Sequence, residues 1–234
     1  MTTKIKFCGL TRPCNIEAVN RLKPDYAGFV FAPKSRRFIS AEAASELKKQ
    51  LDPAIMAVGV FVNETPEAVA NLLEKNIIDI AQLHGNEDDA YIGRLRLLTD
   101  KPLIRAFRLE TSTGSPAGST GKTSFEKSAG PDAQTVSAGS ERNIILDSAL
   151  TCPADHILLD SGAGSGMTFN WQLLTSFDRP YFLAGGLTPE NAGEAVKMLR
   201  PFAVDVSSGI ETDGFKDPAK MAAFIDAVRK GELS

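Results

Sequence analysis

Tryptophan occurs once, histidine twice and cysteine three times in the 234 residues of this chain. No apolar run approaches the ~20 residues needed to cross a bilayer. With two histidines, and with Cys8 and Cys14 separated by five residues, no zinc site can be assembled from familiar spacings. Cys8, Cys14 and Cys152 form an odd set, ill suited to a disulfide framework and at home in a reducing compartment. Neither sign of charge dominates, since 26 basic residues face 29 acidic ones for a net charge of -3. The tightest basic cluster is Lys34 with Arg36-Arg37, too small for the stripe of a nucleic-acid binder. The first six residues carry no apolar core of a secretory signal. A cytoplasmic protein acting on a small molecule is expected, with neither nucleic acid nor membrane as partner.

What is present is a regular alternation. Hydrophobic residues make up 43% of the chain and charged ones 24%, ordinary values for a globular protein. A core of this size buries roughly 70% of the surface its unfolded chain exposes, without help from metals or disulfides. Runs rich in Val, Ile and Phe predict strands at 4–8, 26–31, 56–62, 79–83, 103–107, 156–160, 181–184 and 203–206. Most are nearly continuously apolar, as in parallel strands covered by helices. Helical stretches fall at 14–22, 41–51, 66–75, 87–98, 141–150, 189–199 and 218–229. Ser40, Thr65-Pro66-Glu67 and Thr188-Pro189-Glu190 supply N-cap and first-turn signals. A doubly wound open sheet shows the same alternation, but eight units favour closure. The expected fold is a single (β/α)8 barrel over residues 1–234.

One segment departs from this rhythm. Across 111–140, 19 of 30 residues are Ser, Thr, Gly or Pro, a composition that cannot offset the entropy of ordering. A flexible surface insertion after the fifth strand is expected. It contains Gly121-Lys122-Thr123, the tail of a phosphate-binding loop, but Pro116 stands where that motif needs its first glycine.

In such barrels the active site lies at the C-terminal ends of the strands, which turns a strand list into a site list. Those ends offer Cys8, the loop Pro33 to Arg37, Asn63, Gln82 and His84, Arg105 or Arg108, Asp160, Gly185-Gly186, and Asp205 with Ser207-Ser208-Gly209. The glycine-bearing turns after strands seven and eight, with Gly185, Gly186, Ser208 and Gly209, fall where these barrels bind phosphate through backbone N–H groups. Cys8 is either a small buried hydrophobe or a nucleophile or base with an activated thiol. Asp160 closes an apolar strand before a glycine-rich loop, which suits a general acid with its pKa raised by partial burial. Asp147 looks similar locally, but belongs to a helical stretch and reads as solvated. His84 fits a structural hydrogen bond near the mouth better than an acid or base. Arg37 is a solvated charge or a fork for a carboxylate.

Seven blocks carry a family resemblance. They are Lys6-Phe7-Cys8-Gly9-Leu10-Thr11; Gly28-Phe29-Val30-Phe31 with Pro33-Lys34-Ser35-Arg36-Arg37; Val58-Gly59-Val60-Phe61-Val62-Asn63; and Gln82-Leu83-His84-Gly85. Leu159-Asp160 with Gly164-Ser165-Gly166-Met167-Thr168-Phe169-Asn170-Trp171, then Ala184-Gly185-Gly186-Leu187, then Asp205-Val206-Ser207-Ser208-Gly209-Ile210-Glu211 complete the set. In this order, over nearly the whole chain, they resemble the phosphoribosylanthranilate isomerases of tryptophan synthesis.

The resemblance implies an Amadori rearrangement of N-(5-phosphoribosyl)anthranilate to 1-(2-carboxyphenylamino)-1-deoxyribulose 5-phosphate. By motif, Cys8 is the general base, Asp160 the general acid, and Arg37 the anchor of the anthranilate carboxylate. Gly185, Gly186, Ser208 and Gly209 match the phosphate grip, and Gln82, His84 and Asp205 are the remaining substrate-binding candidates. The chemistry implied needs no metal or redox cofactor, and the implied partner is the small phosphorylated substrate. Monomer and homodimer both stay open. Met167 and Asn170 depart from the commoner family residues, in the loop after strand six. A related indole-glycerol-phosphate synthase would need a catalytic lysine at an early strand end, and the dual-substrate isomerase of histidine synthesis an aspartate in place of Cys8. A non-catalytic phosphosugar-binding barrel would be favoured only if Cys8 or Asp160 were missing.

Overall fold

The computed structural model describes residues 2–109, 138–162 and 171–233. Eight short strands form one closed parallel barrel in chain order, β1 pairing with both β2 and β8. They are β1 Lys4–Cys8, β2 Tyr26–Val30, β3 Met56–Phe61, β4 Ile80–Leu83, β5 Leu103–Arg108, β6 His156–Asp160, β7 Tyr181–Ala184 and β8 Ala203–Val206. Helices α1 Pro13–Leu22, α2 Ala41–Gln50, α3 Pro66–Glu74, α4 Asp89–Arg96, α5 Ala138–Thr151, α6 Ala192–Leu199 and α7 Pro218–Glu232 alternate with them. The expected (β/α)8 barrel is the fold observed.

Side chains alternate across each strand with period two, and this sorts the core into two layers. Ile5, Phe7, Ala27, Phe29, Ala57, Phe61, Ile157 and Leu159 point outward into the layer under the helices. Tyr26, Val58, Ile80, Ile104, Leu158, Phe182 and Ala203 fill the barrel interior. Cys8, Val30 and Val60 form a smaller cluster. Continuing the inward register to the strand ends places Lys6 and Cys8, Gln82, Asp160 and Asp205 on the inside. One periodicity therefore gathers these groups at one mouth.

Several boundaries differ from the sequence expectation. Helix α4 starts at Asp89, because Asp88 caps it by accepting the Tyr91 N–H at 2.7 Å; Glu87 is buried and lies outside it. Thr188-Pro189 opens a turn and not a helix. Asn191 Oδ1 accepts the Thr188 N–H at 2.8 Å, and α6 begins only at Ala192. Between β6 and β7, a 3-10 turn at Trp171–Leu174 is the helical element among the described residues. Helix α5 begins at Ala138, so the end of the segment expected to be flexible already has helical backbone; weak core-forming composition does not forbid a first helical turn. The rest of that segment, and the 164–170 stretch with Met167 and Asn170, lie outside the described residues. Asp147 is exposed on α5, as expected.

After β8 comes an element that the strand list omitted. A 3-10 turn at Ser208–Ile210 leads into a two-stranded hairpin, β9 Glu211–Thr212 and β10 Phe215–Lys216. Its turn residues Asp213 and Gly214 have φ of 51° and 81°. Positive φ at both central positions is the Asp-Gly hairpin signature, for which glycine at the second position carries no steric cost.

Candidate active site

Lys6 and Asp205 are Cα partners in the β1–β8 register, so their inward side chains meet, with Nζ 2.8 Å from Oδ2. Lys6 is fully buried. Burial alone would lower its pKa, but the charges of Asp205 and the Cys8 thiol hold the ammonium above its ordinary value. The same ammonium acts on Cys8, which lies two residues along the same inward face of β1. Burial pushes the Cys8 thiol up, Lys6 and Lys216 pull it down, and Asp205 raises it; the net direction is upward. Asp205 Oδ1 is buried with no hydrogen-bond partner among the described residues.

Asp160 stands at the end of β6, inside the barrel. Its Oδ2 lies 3.2 Å from His84 Nε2, and its Oδ1 accepts the Gly162 N–H at 2.9 Å. Gln82 Nε2 lies 2.9 Å from His84 Nδ1. With that amide donating to Nδ1, the imidazole proton sits on Nε2 and points at the carboxylate. Burial would raise the pKa of Asp160. The hydrogen bonds from His84 and the Gly162 N–H, with the charge of Arg108 nearby, outweigh it, and the pKa falls below the ordinary carboxylate value. This corrects the expectation of a pKa raised by burial: the sequence could show a carboxyl at an apolar strand end, but not the donors folded around it.

Of the two arginines at the end of β5, Arg108 is the one in register with Asp160. Arg105 instead donates to the carbonyls of Leu83, Gly85 and Ala106 at 2.8–3.2 Å, with Glu87 3.7 Å away. Glu87 in turn accepts the N–H groups of Asn63 and Gly85. These residues, with Asn63, fasten loops behind the mouth.

Arg37 reaches the rim from the loop after β2, but its guanidinium is already engaged. Nε and Nη2 donate to the two carboxylate oxygens of Glu211 at 2.6 and 2.8 Å. Arg36 and Lys216 also bind Glu211, at 2.8 and 2.7 Å. Burial works against ionisation of Glu211, yet Arg37 and Lys216 hold its pKa down at about 2. Three cations around one carboxylate leave this side of the mouth positive.

Gly185 and Gly186 follow β7, and Ser208-Gly209 follow β8, so the two turns adjoin. A Cβ on Gly209 would stand 1.9 Å from the Leu187 carbonyl oxygen, and only glycine permits that approach. Lys6, Glu211 and Lys216 were not among the candidates read from sequence. For Lys6 the signal was its place two residues before Cys8; for the other two it was the Asp213-Gly214 turn pair that they flank.

A family model described as N-(5'-phosphoribosyl)anthranilate (PRA) isomerase matches residues 5–129 and 136–227. An N-(5'-phosphoribosyl)anthranilate isomerase of Endomicrobium trichonymphae is 39% identical over 231 residues, covering 97% of this chain and 98% of the relative. The crystal structure of the phosphoribosyl anthranilate isomerase of Thermotoga maritima superposes with a TM-score of 0.77 at 31% identity, over 97% of this chain and 99% of that one. A second solved isomerase, in complex with reduced 1-(o-carboxyphenylamino)-1-deoxyribulose 5-phosphate, gives 0.74 at 31% identity with the same coverage.

Proposed function

The chain belongs to the N-(5'-phosphoribosyl)anthranilate isomerase family and is an isomerase of tryptophan biosynthesis, and on that premise we propose that Cys8 and Asp160 carry its proton transfers. The substrate is N-(5-phosphoribosyl)anthranilate, an aminoaldose with a phosphate at one end and an aromatic carboxylate at the other. Asp160 gives a proton to the furanose ring oxygen as the C1′–O bond breaks, leaving an iminium. Cys8 as thiolate then removes the C2′ proton, and the electrons of that C–H bond flow into the iminium to give an enolamine. Tautomerisation of the enolamine yields the aminoketose.

The observation that carries this reading is the shared inward register of Cys8 and Asp160 at one mouth, three strands apart around the barrel. Lys6, two residues before Cys8 on the same inward face of β1, favours the thiolate. Asp160 accepts hydrogen bonds from His84 and the Gly162 N–H, and the phosphate and carboxylate charges of the substrate favour its protonation. The phosphate is assigned to the N–H groups of Gly185, Gly186, Ser208 and Gly209, and the carboxylate to Arg37. Asp205, with a buried oxygen lacking a partner among the described residues, is assigned to a sugar hydroxyl, and Gln82 and His84 to the flank of Asp160. We place the enzyme in the cytoplasm, where a small phosphorylated metabolite is made and consumed.

The test follows the loss of anthranilate fluorescence in Cys8→Ala and Asp160→Asn. General acid–base groups are each worth about 10²–10⁴-fold, so turnover should fall at least ~100-fold in both. Turnover within threefold of the parent in a folded variant removes that residue from the mechanism.

A further inference from the structure

A guanidinium carries five N–H donors on two usable edges. In Arg37 the edge formed by Nε and one Nη2 proton is spent on Glu211. Among the described residues no acceptor takes the edge formed by Nη1 and the second Nη2 proton, which is left to meet a planar carboxylate end-on. What faces that carboxylate is therefore decided by where Glu211 holds the fork. Glu211 is itself held: in the β9–β10 hairpin it is the cross-strand partner of Lys216. The three ammonium protons of Lys216 are matched by three acceptors, Glu211 Oε1 at 2.7 Å, Ser207 O at 2.9 Å and Ser207 Oγ at 3.3 Å. The Ser207 hydroxyl donates onward to the carbonyl oxygen of Cys8 at 3.1 Å. A continuous chain of hydrogen bonds thus runs from the backbone of Cys8 through Ser207, Lys216 and Glu211 to Arg37. On its other side the hairpin is pinned by Arg12, whose guanidinium lies 3.7 Å over the Phe215 ring.

We propose that Glu211 and Lys216 are positioning residues that set the free edge of Arg37 in register with the base-bearing end of β1. The inference rests on the reading of Arg37 as the anchor of the substrate carboxylate. Neither residue has a donor aimed at substrate: Glu211 has none when ionised, and Lys216 has spent all three. Their effect on substrate binding runs through the placement of Arg37, while Lys216 also favours the Cys8 thiolate.

This reading has a sign that distinguishes it from simple electrostatics. Removing a negative charge beside an anion site tightens anion binding if only charge matters. Removing the residue that orients the fork weakens it. The experiment measures dissociation constants of the reduced product, 1-(2-carboxyphenylamino)-1-deoxyribulose 5-phosphate with its ketone reduced, and of the same compound lacking the ring carboxylate. Parent, Glu211→Gln, Lys216→Met and Arg37→Met are compared. In Glu211→Gln the carboxylate-bearing ligand should bind at least tenfold more weakly, while the ligand without the carboxylate changes less than twofold; KM should rise and kcat stay within threefold. Lys216→Met should move in the same direction by fivefold or more, and Lys216→Arg should recover most of the loss. Unchanged or tighter binding of the carboxylate-bearing ligand to Glu211→Gln overturns the proposal, provided Arg37→Met loses the discrimination. If Arg37→Met keeps the discrimination, the anchor reading itself fails and takes this one with it. Should Glu211→Gln not fold, Lys216→Met, which leaves the fork its acceptor, decides the question by the same criterion.

Discussion

Glu211 illustrates how one side chain ties stability to the mouth. Its carboxyl titrates at about 2 in the folded chain, against an ordinary value of 4.5. A folded pKa below the unfolded one means that the stabilisation is fully present above the unfolded value and is lost as pH falls through the folded one. Glu211→Gln should therefore melt below the parent at neutral pH, with the gap in Tm closing between about pH 4.5 and pH 2. Thermal melts across that range check this, and a gap that stays constant refutes it. At the same scale, Asp160 was legible as a carboxyl closing an apolar run and Cys8 as a thiol at the end of the first expected strand. Their protonation was not. The downward direction at Asp160 comes from His84 and from the Gly162 N–H, and the upward one at Cys8 from burial that Lys6 and Lys216 only partly oppose. Lys6 and Gly162 lie two residues from the groups they act on, but His84 and Lys216 come from other strands and turns, outside any local window of sequence.

At the scale of elements, the barrel strands were readable since burial on both faces makes them continuous apolar runs. The errors fell where side-chain hydrogen bonds set an element's limits. Asp88 caps α4 two residues after its expected start, and Asn191 turns back to Thr188 and delays α6. The β9–β10 hairpin escaped because two residues per strand give no periodicity, although Asp213-Gly214 announced its turn. The contact between the turns after β7 and β8 yields a prediction of its own. In Gly209→Ala the new Cβ, 1.9 Å from the Leu187 oxygen, forces the two turns apart. Overpacking of this kind costs about 1–3 kcal/mol of stability. The same shift separates the N–H groups assigned to phosphate, so inorganic phosphate should inhibit the variant less strongly than the parent. Equal inhibition in a folded variant would dissociate this contact from phosphate binding.

Across the whole molecule the two ends of the barrel divide the work, reactive groups gathering at the C-terminal mouth and fastenings at the opposite end. Those fastenings repeat. Asp25, just before β2, accepts the Ile5 N–H of β1 at 2.8 Å and pairs with Lys4. Asp79, just before β4, accepts the Ala57 N–H of β3 at 2.7 Å and pairs with Lys48. Asp155, just before β6, accepts the Leu103 N–H of β5 at 2.7 Å and pairs with Arg96. Each aspartate closes one strand pair by satisfying an N–H at the start of the preceding strand, that of its second residue in β1 and β3 and of its first in β5. Before β8 the position is Phe202, which carries no carboxylate to close the β7–β8 pair in this way. Removing one clip leaves a partly buried N–H without its acceptor, which costs about 1–3 kcal/mol. The three clips share no partner, so their losses should add to within about 0.5 kcal/mol. Asp25→Ala, Asp79→Ala, Asp155→Ala and the triple variant, compared by urea unfolding, should show that additivity. Assayed at 25 °C in its folded state, each single variant should keep kcat/KM within twofold of the parent, because its site lies at the end of the barrel away from Cys8 and Asp160. A clip whose loss lowers kcat/KM tenfold without unfolding the chain would show that the two ends are coupled, and the division of labour would fail.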